Sequence, residues 1–331
     1  MLFFLYGEDI WRKEQKIKAI AEEFARKRDP SRLNIKTLSV AGLEEEDLQQ
    51  TLRAAPFLAA KRMLILKNVV TGGRKSLIEI VEQALPSLLT DEVKWLIISE
   101  DKSKPKKEQD WKNQVSKKVW EYLEKSAKCE VFPELWGVKL EAEITKQAKT
   151  YGLTLEKEAA ALLAVLSGGD LGWIVHEMEK LAAYKDSHNM NVCTSEDIKL
   201  LCTAEGEANI FEFLDALGNK DRKTLLRVTE EEMRESDALH LVARASGHLR
   251  AILTMHLAGS QAGAQALKLH PFQAKKISAT LRKWNTGELK SLLFQLMVLE
   301  YAVKTGRAPD AQIQLVSLLL QNIKPLSPSA F

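Results

Sequence analysis

Cysteine is scarce in this 331-residue chain. Three thiols, Cys129, Cys193 and Cys202, are too few and too far apart for a disulfide framework or a four-thiolate zinc site. That usage points to a reducing, cytoplasmic setting. Long apolar runs are also missing: none approaches the roughly 18 residues that a membrane-spanning helix needs. The amino-terminal run Met1-Leu2-Phe3-Phe4-Leu5-Tyr6 is short, lacks a basic flank and meets Glu8-Asp9 at once, so it reads as a strand and not as a signal peptide. No charge sign dominates, because 48 Lys+Arg against 45 Asp+Glu leave +3, and that balance selects no partner. What the chain does have is 45% hydrophobic and 28% charged residues, the proportions of a globular protein and not of a disordered tail. With domains of roughly 100–200 residues, two or three are expected.

The first third alternates strand and helix patterns. Leu2–Tyr6, Ile35–Val40, Met63–Leu66, Trp95–Ile98 and Glu130–Phe132 read as strands. Between them lie helical patterns over Glu8–Lys27, around Leu43, Leu48 and Leu52, over Leu77–Leu89 and over Trp111–Lys125. Ile10, Ile17, Ile20, Ala21 and Phe24 are expected to share the buried face of the first helix. Such alternation predicts a parallel sheet with helices on both faces. From about Leu140 only helices are expected. Thr154 is a candidate cap for a helix carrying Leu155, Ala159, Leu162, Leu163 and Leu166. Thr194-Ser195-Glu196-Asp197 has the capping-box pattern. In the last third, Ile210, Phe211, Leu214 and Leu217 form a stripe, and further stripes include Ile277, Leu281, Trp284 and then Ile313, Val316, Leu320, Ile323. The predicted fold is α/β plus all-α, in three domains: 1–137, 138–205 and 206–331.

An α/β domain of this kind raises the question of a bound nucleotide. The loop after the first strand, Tyr6-Gly7-Glu8-Asp9-Ile10, has no GxxxxGK[ST] pattern and sets two carboxylates where a phosphate would approach. Gly72-Gly73-Arg74-Lys75-Ser76 sits between a strand and a helix, but Arg74 precedes the lysine and Val69 stands where the first glycine belongs. It reads either as an atypical phosphate loop or as a solvated connector. His240, His248 and His256 lie on one predicted helix without a second ligand four residues away, and read as surface histidines. No catalytic residue, metal site or cofactor emerges, so binding is favoured over catalysis.

Ala55-Pro56-Phe57-Leu58-Ala59-Ala60-Lys61-Arg62 links the second helix to the third strand. Pro56 stops the helix and disfavours α geometry at Ala55. Phe57 and Leu58 then place two large apolar side chains in a short connector. They either fold back onto the sheet or project into an apolar pocket of a partner.

These pieces, with others, carry a pattern. Leu5-Tyr6-Gly7-Glu8-Asp9 comes first, then Pro56-Phe57-Leu58 followed by Lys61-Arg62-Met63-Leu64-Ile65-Leu66. Gly168-Gly169-Asp170-Leu171 follows, with Glu177-Met178-Glu179-Lys180-Leu181-Ala182-Ala183-Tyr184, then Asn209-Ile210-Phe211-Glu212-Phe213-Leu214-Asp215-Ala216-Leu217, and last His270-Pro271-Phe272. In this order and at this spacing, across nearly the whole length, the chain resembles the δ subunits of the bacterial DNA polymerase III clamp loader. The resemblance implies an AAA+-like architecture: a degenerate nucleotide-fold domain lacking a P-loop, a helical lid and a helical collar. It implies a non-catalytic subunit of a DNA polymerase holoenzyme that binds and opens the sliding clamp without hydrolysing ATP. The implied partners are the clamp (a β subunit), γ/τ-type and δ′-type subunits, and primed DNA in the assembled complex. The family's clamp-binding element maps onto Pro56, Phe57 and Leu58, here with the aromatic residue first. The Ser-Arg-Cys arginine-finger motif and the cysteine zinc knuckle of the ATP-sensing paralogues are both missing.

Charge is uneven beneath the small total. From His240 to Phe331 eleven Lys/Arg stand against three Asp/Glu, and from Glu205 to Leu239 five stand against ten. Lys275, Lys276, Arg282 and Lys283, with Phe272 and Trp284, are the candidates for facing DNA phosphates, against the reading of a solvated basic face. Two alternatives to the clamp-loader reading stay open: an atypical NTPase using Gly72–Ser76, and a helical nucleic-acid-binding scaffold.

Overall fold

The structure is a computed structural model, described here for all residues except 106, 108, 109, 112, 203–206, 236, 237 and 324–331. Contacts divide the chain into two units: residues 1–135 with 170–172, and residues 136–169 with 173–331.

The aromatic run at the start forms β1 (Leu2–Tyr6). With β2 (Ile35–Ser39), β3 (Arg62–Lys67), β4 (Lys94–Glu100) and β5 (Lys128–Val131) it builds a parallel sheet in the order β2-β3-β4-β1-β5. Side-chain alternation sorts the strands onto two cores. Leu5, Met63, Ile65 and Ile97 point to one face, where α1 (Ile10–Arg28) covers them with Ile17, Ile20 and Phe24. Phe4, Leu64, Leu66, Leu96 and Ile98 point to the other. There α2 (Glu45–Arg53), α4 (Lys75–Thr90) and α5 (Gln114–Ser126) supply Leu48, Leu52, Val81, Leu85 and Trp120. A single helical turn, α3 (Val69–Gly72), precedes α4. Right-handed crossovers require this division, because the step from β1 to β2 runs against the direction of the later steps. Trp120 is fully buried and meets the rings of Phe4 and Tyr6 edge-on at 4.8 and 4.9 Å. Each such aromatic burial contributes on the order of 2 kcal/mol.

The second unit is helical: α6 (Val138–Thr150), α7 (Lys157–Leu166), α8 (Leu171–Ser187), α9 (Ser195–Leu201), α10 (Glu207–Asn219), α11 (Arg222–Glu235), α12 (Ala238–Ala258), α13 (Ser260–Ala266), α14 (Pro271–Thr280), α15 (Thr286–Lys304) and α16 (Ala311–Asn322). Thr194 and Asp197 form the expected capping box on α9. The largest core gathers Phe213, Leu217, Leu241, Leu249, Trp284, Leu292 and Leu315. The sequence-based boundary at 205/206 falls outside the described residues.

Several local expectations change. Thr154 does not cap a helix: Thr154–Leu155 forms a two-residue strand, β6, parallel to β7 (Val192–Cys193), and α7 starts after Glu156. Ile10 is half exposed, since Asp9 caps α1 and leaves Ile10 in its first, outward turn. On α16 the buried face is Leu315, Leu319 and Ile323, which leaves Ile313 at 69% exposure. His248 is not free on the surface. It is half-buried in the wall of a cleft, its Nε2 is buried without a hydrogen-bond partner, and burial pushes its pKa down to about 4.

Candidate functional site

Helices leave β1 and β4 toward opposite faces of the sheet, so the carboxyl ends of these neighbouring strands form the crevice where α/β proteins of this class hold a ligand. Here the crevice is filled from within. Lys13, fully buried on α1, sends its ammonium to Gly7 O at 3.2 Å, Glu100 O at 2.6 Å and the Asp101 carboxylate at 2.6 Å. Asn68, in a left-handed conformation after β3, donates to that carboxylate and accepts from the Asp101 N–H at 2.8 Å. Burial pushes Asp101 up, but the bonds from Lys13 and Asn68 outweigh it and hold its pKa below the ordinary value. Glu100, wholly buried, accepts from the N–H groups of Val70 and Thr71 and from the Thr71 hydroxyl; burial still leaves its pKa raised.

The loop after β1 has no free cradle. The Gly7 N–H donates to Glu100 O and the Asp9 N–H to Phe132 O. Gly7 has φ +135°, and a Cβ there would lie 2.1 Å from Phe132 O, so only glycine fits. Asp9 accepts from the Arg12 N–H and guanidinium at the start of α1. These residues do not fit a nucleotide phosphate. The Gly72–Ser76 loop is also committed elsewhere: Gly73 packs against Val69 O, and Arg74 donates to Leu43 O and pairs with Glu44.

The connector after α2 presents the opposite picture. Helix α2 ends at Arg53, the chain runs extended through the half-buried Pro56, and two large side chains then stand in solvent: Phe57 at 61% and Leu58 at 90% exposure. Of the two sequence readings, folding back onto the sheet does not occur. Leu58 has φ +50°, a region that costs a β-carbon-bearing residue roughly 1–2 kcal/mol. A glycine would relieve that strain, and the fold gains nothing from leaving leucine in water. The main chain of Phe57 is held from below. Its N–H donates to Asn34 Oδ1 at 2.6 Å, and Asn34 Nδ2 donates to its carbonyl at 2.8 Å. Asn34 is 2% exposed and ends the loop before β2. Its backbone N–H and its amide both donate to Asp29, at 2.7 and 3.3 Å, and the Ser31 hydroxyl joins at 2.6 Å. Those bonds keep Asp29 ionised against its burial, with a lowered pKa. Beside them, Leu33 is 67% exposed.

The four basic candidates lie together around α14, in differing surroundings. Lys275 and Lys276 line a cleft of about 890 Å³ that also carries Glu158, Glu196, Glu212 and Asp215. Lys276 pairs with Asp215 and lies 5.2 Å from the Phe272 ring centre. Lys283 donates to Asn219 at 2.8 Å, and Arg282 is exposed. Trp284, expected as an aromatic partner for DNA, is instead 3% exposed, with its indole N–H on Gly218 O at 2.9 Å.

Sequence reasoning missed Lys13 and Asn34. Lys13 falls on the apolar stripe with Ile17, Ile20 and Phe24, a spacing that marks a lysine as turned inward. Asn34 offers no such signal, since its partner is 23 residues away.

Comparison with known proteins shows the family. Residues 3–128 match the family described as DNA polymerase III, delta subunit, and residues 207–322 the family described as DNA polymerase III delta subunit, C-terminal domain. The DNA polymerase III subunit delta of Bacillus subtilis (strain 168) is 29% identical over 335 residues, covering 98% of this chain and 93% of the relative. In fold, the chain is similar to the solved Bacillus subtilis DNA clamp loader delta protein (YqeN), with a TM-score of 0.60 and 24% identity over 98% of this chain and 95% of that one. Both family matches and the Bacillus subtilis relative lead to one conclusion: the chain belongs to the DNA polymerase III δ subunit family.

Proposed function

We propose that this chain binds and opens a ring-shaped sliding clamp by inserting Phe57 and Leu58 into an apolar pocket of the ring, and that it does so without hydrolysing ATP. The observation that carries this reading is the exposed pair itself, presented on a pinned main chain at the cost of a left-handed leucine. Anchors of this kind are worth on the order of 2 kcal/mol each. Binding energy opens the ring only insofar as contact favours the conformation with the weakened interface. Pro56 sets the direction of entry, and the Lys13–Asp101 plug supports a role in which neighbouring subunits supply ATP hydrolysis.

In this proposal residues 1–137 engage the clamp, 138–205 form the lid and 206–331 the collar. The collar meets γ/τ-type and δ′-type subunits. A stripe on α15 supports such contact: Phe294, Met297, Val298 and Tyr301, at helical spacing, are each at least half exposed. Lys275, Lys276, Arg282 and Lys283 face primed DNA within the assembled complex, in the bacterial cytoplasm. Among the described residues, no helix is long and apolar enough to cross a membrane.

The test is calorimetric titration with the sliding clamp, wild type against Phe57→Ala with Leu58→Ala. Losing both anchors is expected to weaken binding by about 4 kcal/mol, roughly a thousandfold. The fold should survive, because both side chains stand in solvent. Unchanged clamp affinity in the folded double variant would defeat the assignment.

A further inference from the structure

We infer that Asn34 is the positioning residue of this docking site, and that Asp29 sets its orientation; the inference rests on the clamp-binding reading above. A carboxamide can serve one peptide unit as both donor and acceptor, and Asn34 does so for Phe57 through bonds of 2.8 and 2.6 Å. Of the connector's main chain, Phe57 is therefore held as a strand residue would be, although no strand runs beside it. Which way the amide faces decides whether this works. Asp29 Oδ1 accepts only from the Nδ2 side, so the carbonyl oxygen is turned toward the Phe57 N–H. The Asp29 carboxylate is itself fixed by Ser31 and by the Asn34 backbone N–H. Asn34 O in turn accepts from the Met63 N–H at 2.8 Å, which ties the support to the entry of β3.

The chain of contacts thus runs from the sheet, through one buried side chain, to the residue whose ring must arrive in the right direction. Without it, the Phe57 main chain would lose both of these bonds, leaving the Arg62 guanidinium on Ala55 O at 3.4 Å as a weaker tether, and the clamp would have to order the tip on binding. Both bonds from the Asn34 side chain go to the Phe57 main chain, so it is through that main chain that it positions the ring.

The experiment uses the full chain with Asn34→Ala, and with Asn34→Leu, which has the same branching and number of side-chain heavy atoms, should the alanine variant not fold. Amide hydrogen exchange at Phe57, measured without any clamp, is expected to accelerate at least tenfold while exchange in β3 and β4 stays as in the wild type. Clamp affinity is expected to fall about tenfold in the wild-type background and less than twofold in a background with Phe57→Ala and Leu58→Ala, a non-additivity that general destabilisation does not produce. Unaltered exchange at Phe57, or an equal loss of affinity in both backgrounds, would overturn the inference. A wild-type chain indifferent to the clamp would sink the partner reading alone, and the exchange measurement would still decide the role of Asn34.

Discussion

Leu58 offers a single substitution with opposite effects on folding and on binding. Its φ of +50° costs roughly 1–2 kcal/mol relative to glycine. Leu58→Gly removes that strain but adds about 0.5–1 kcal/mol of chain entropy to the unfolded state. Because the side chain is 90% exposed, the packing lost is only about a tenth of a leucine's full burial, roughly 0.2 kcal/mol. The variant should therefore lie between about as stable as the wild type and about 1.3 kcal/mol more stable, with a midpoint gain of roughly 0.5 kcal/mol. Clamp binding should weaken by about 2 kcal/mol, near thirtyfold in Kd. Leu58→Asn separates flexibility from contact, since asparagine tolerates the left-handed region without loosening the loop. It should lose affinity to a similar degree. Urea unfolding followed by tryptophan fluorescence reads the first effect, and calorimetry with the sliding clamp reads the second. A loss of 1 kcal/mol or more in stability would show that the side chain packs on its own fold, and full retention of affinity would show that it touches no ring; either result refutes the reasoning.

Two further outcomes follow from buried groups. Asp101→Ala strands a fully buried ammonium; a pair enclosed on both sides would lose 3–5 kcal/mol, but Asp101 is 37% exposed and water can replace it, so about 2 kcal/mol is expected in chemical denaturation. Lys13→Met, which keeps the buried stem and removes the charge, should cost less; a larger loss than Asp101→Ala would contradict the plug as described. His248 is held neutral by burial, with a folded pKa of about 4 against 6.5 unfolded. The unfolded chain thus takes up a proton below about pH 6.5 and the folded chain only near pH 4, so stability is full at pH 7.5 and falls by about 2 kcal/mol at pH 5. The same comparison on His248→Gln should show a shallower decline, and parallel declines would refute the assignment.

The strand–helix alternation was legible because periods of 2 and 3.6 residues follow directly from backbone geometry. Phe57 and Leu58 stood out as large apolar groups in a short connector, but the residues alone left open whether they fold back or project, and only the structure shows them exposed. Features that depend on distant pairing were not legible. The two-residue strand at Thr154 exists only because Val192 lies beside it, 38 residues later in the chain. Trp284 has a surface-compatible sequence context, yet the carbonyl of Gly218, 66 residues away, draws its indole inside. His248 repeats the lesson, since nothing in its helix announces that Gly218 leaves room for its ring. For Lys13 the evidence was present in the stripe, where a long side chain can cross an apolar face to reach polar atoms beyond it.

In the proposed role, a domain whose crevice is closed by a lysine of its own first helix would keep one shape at any level of cellular energy supply. It would have no internal clock. In an assembly driven by triphosphate turnover, such a part would work as a permanently cocked wedge, with the moment of its use set by the neighbours that cover or uncover its tip.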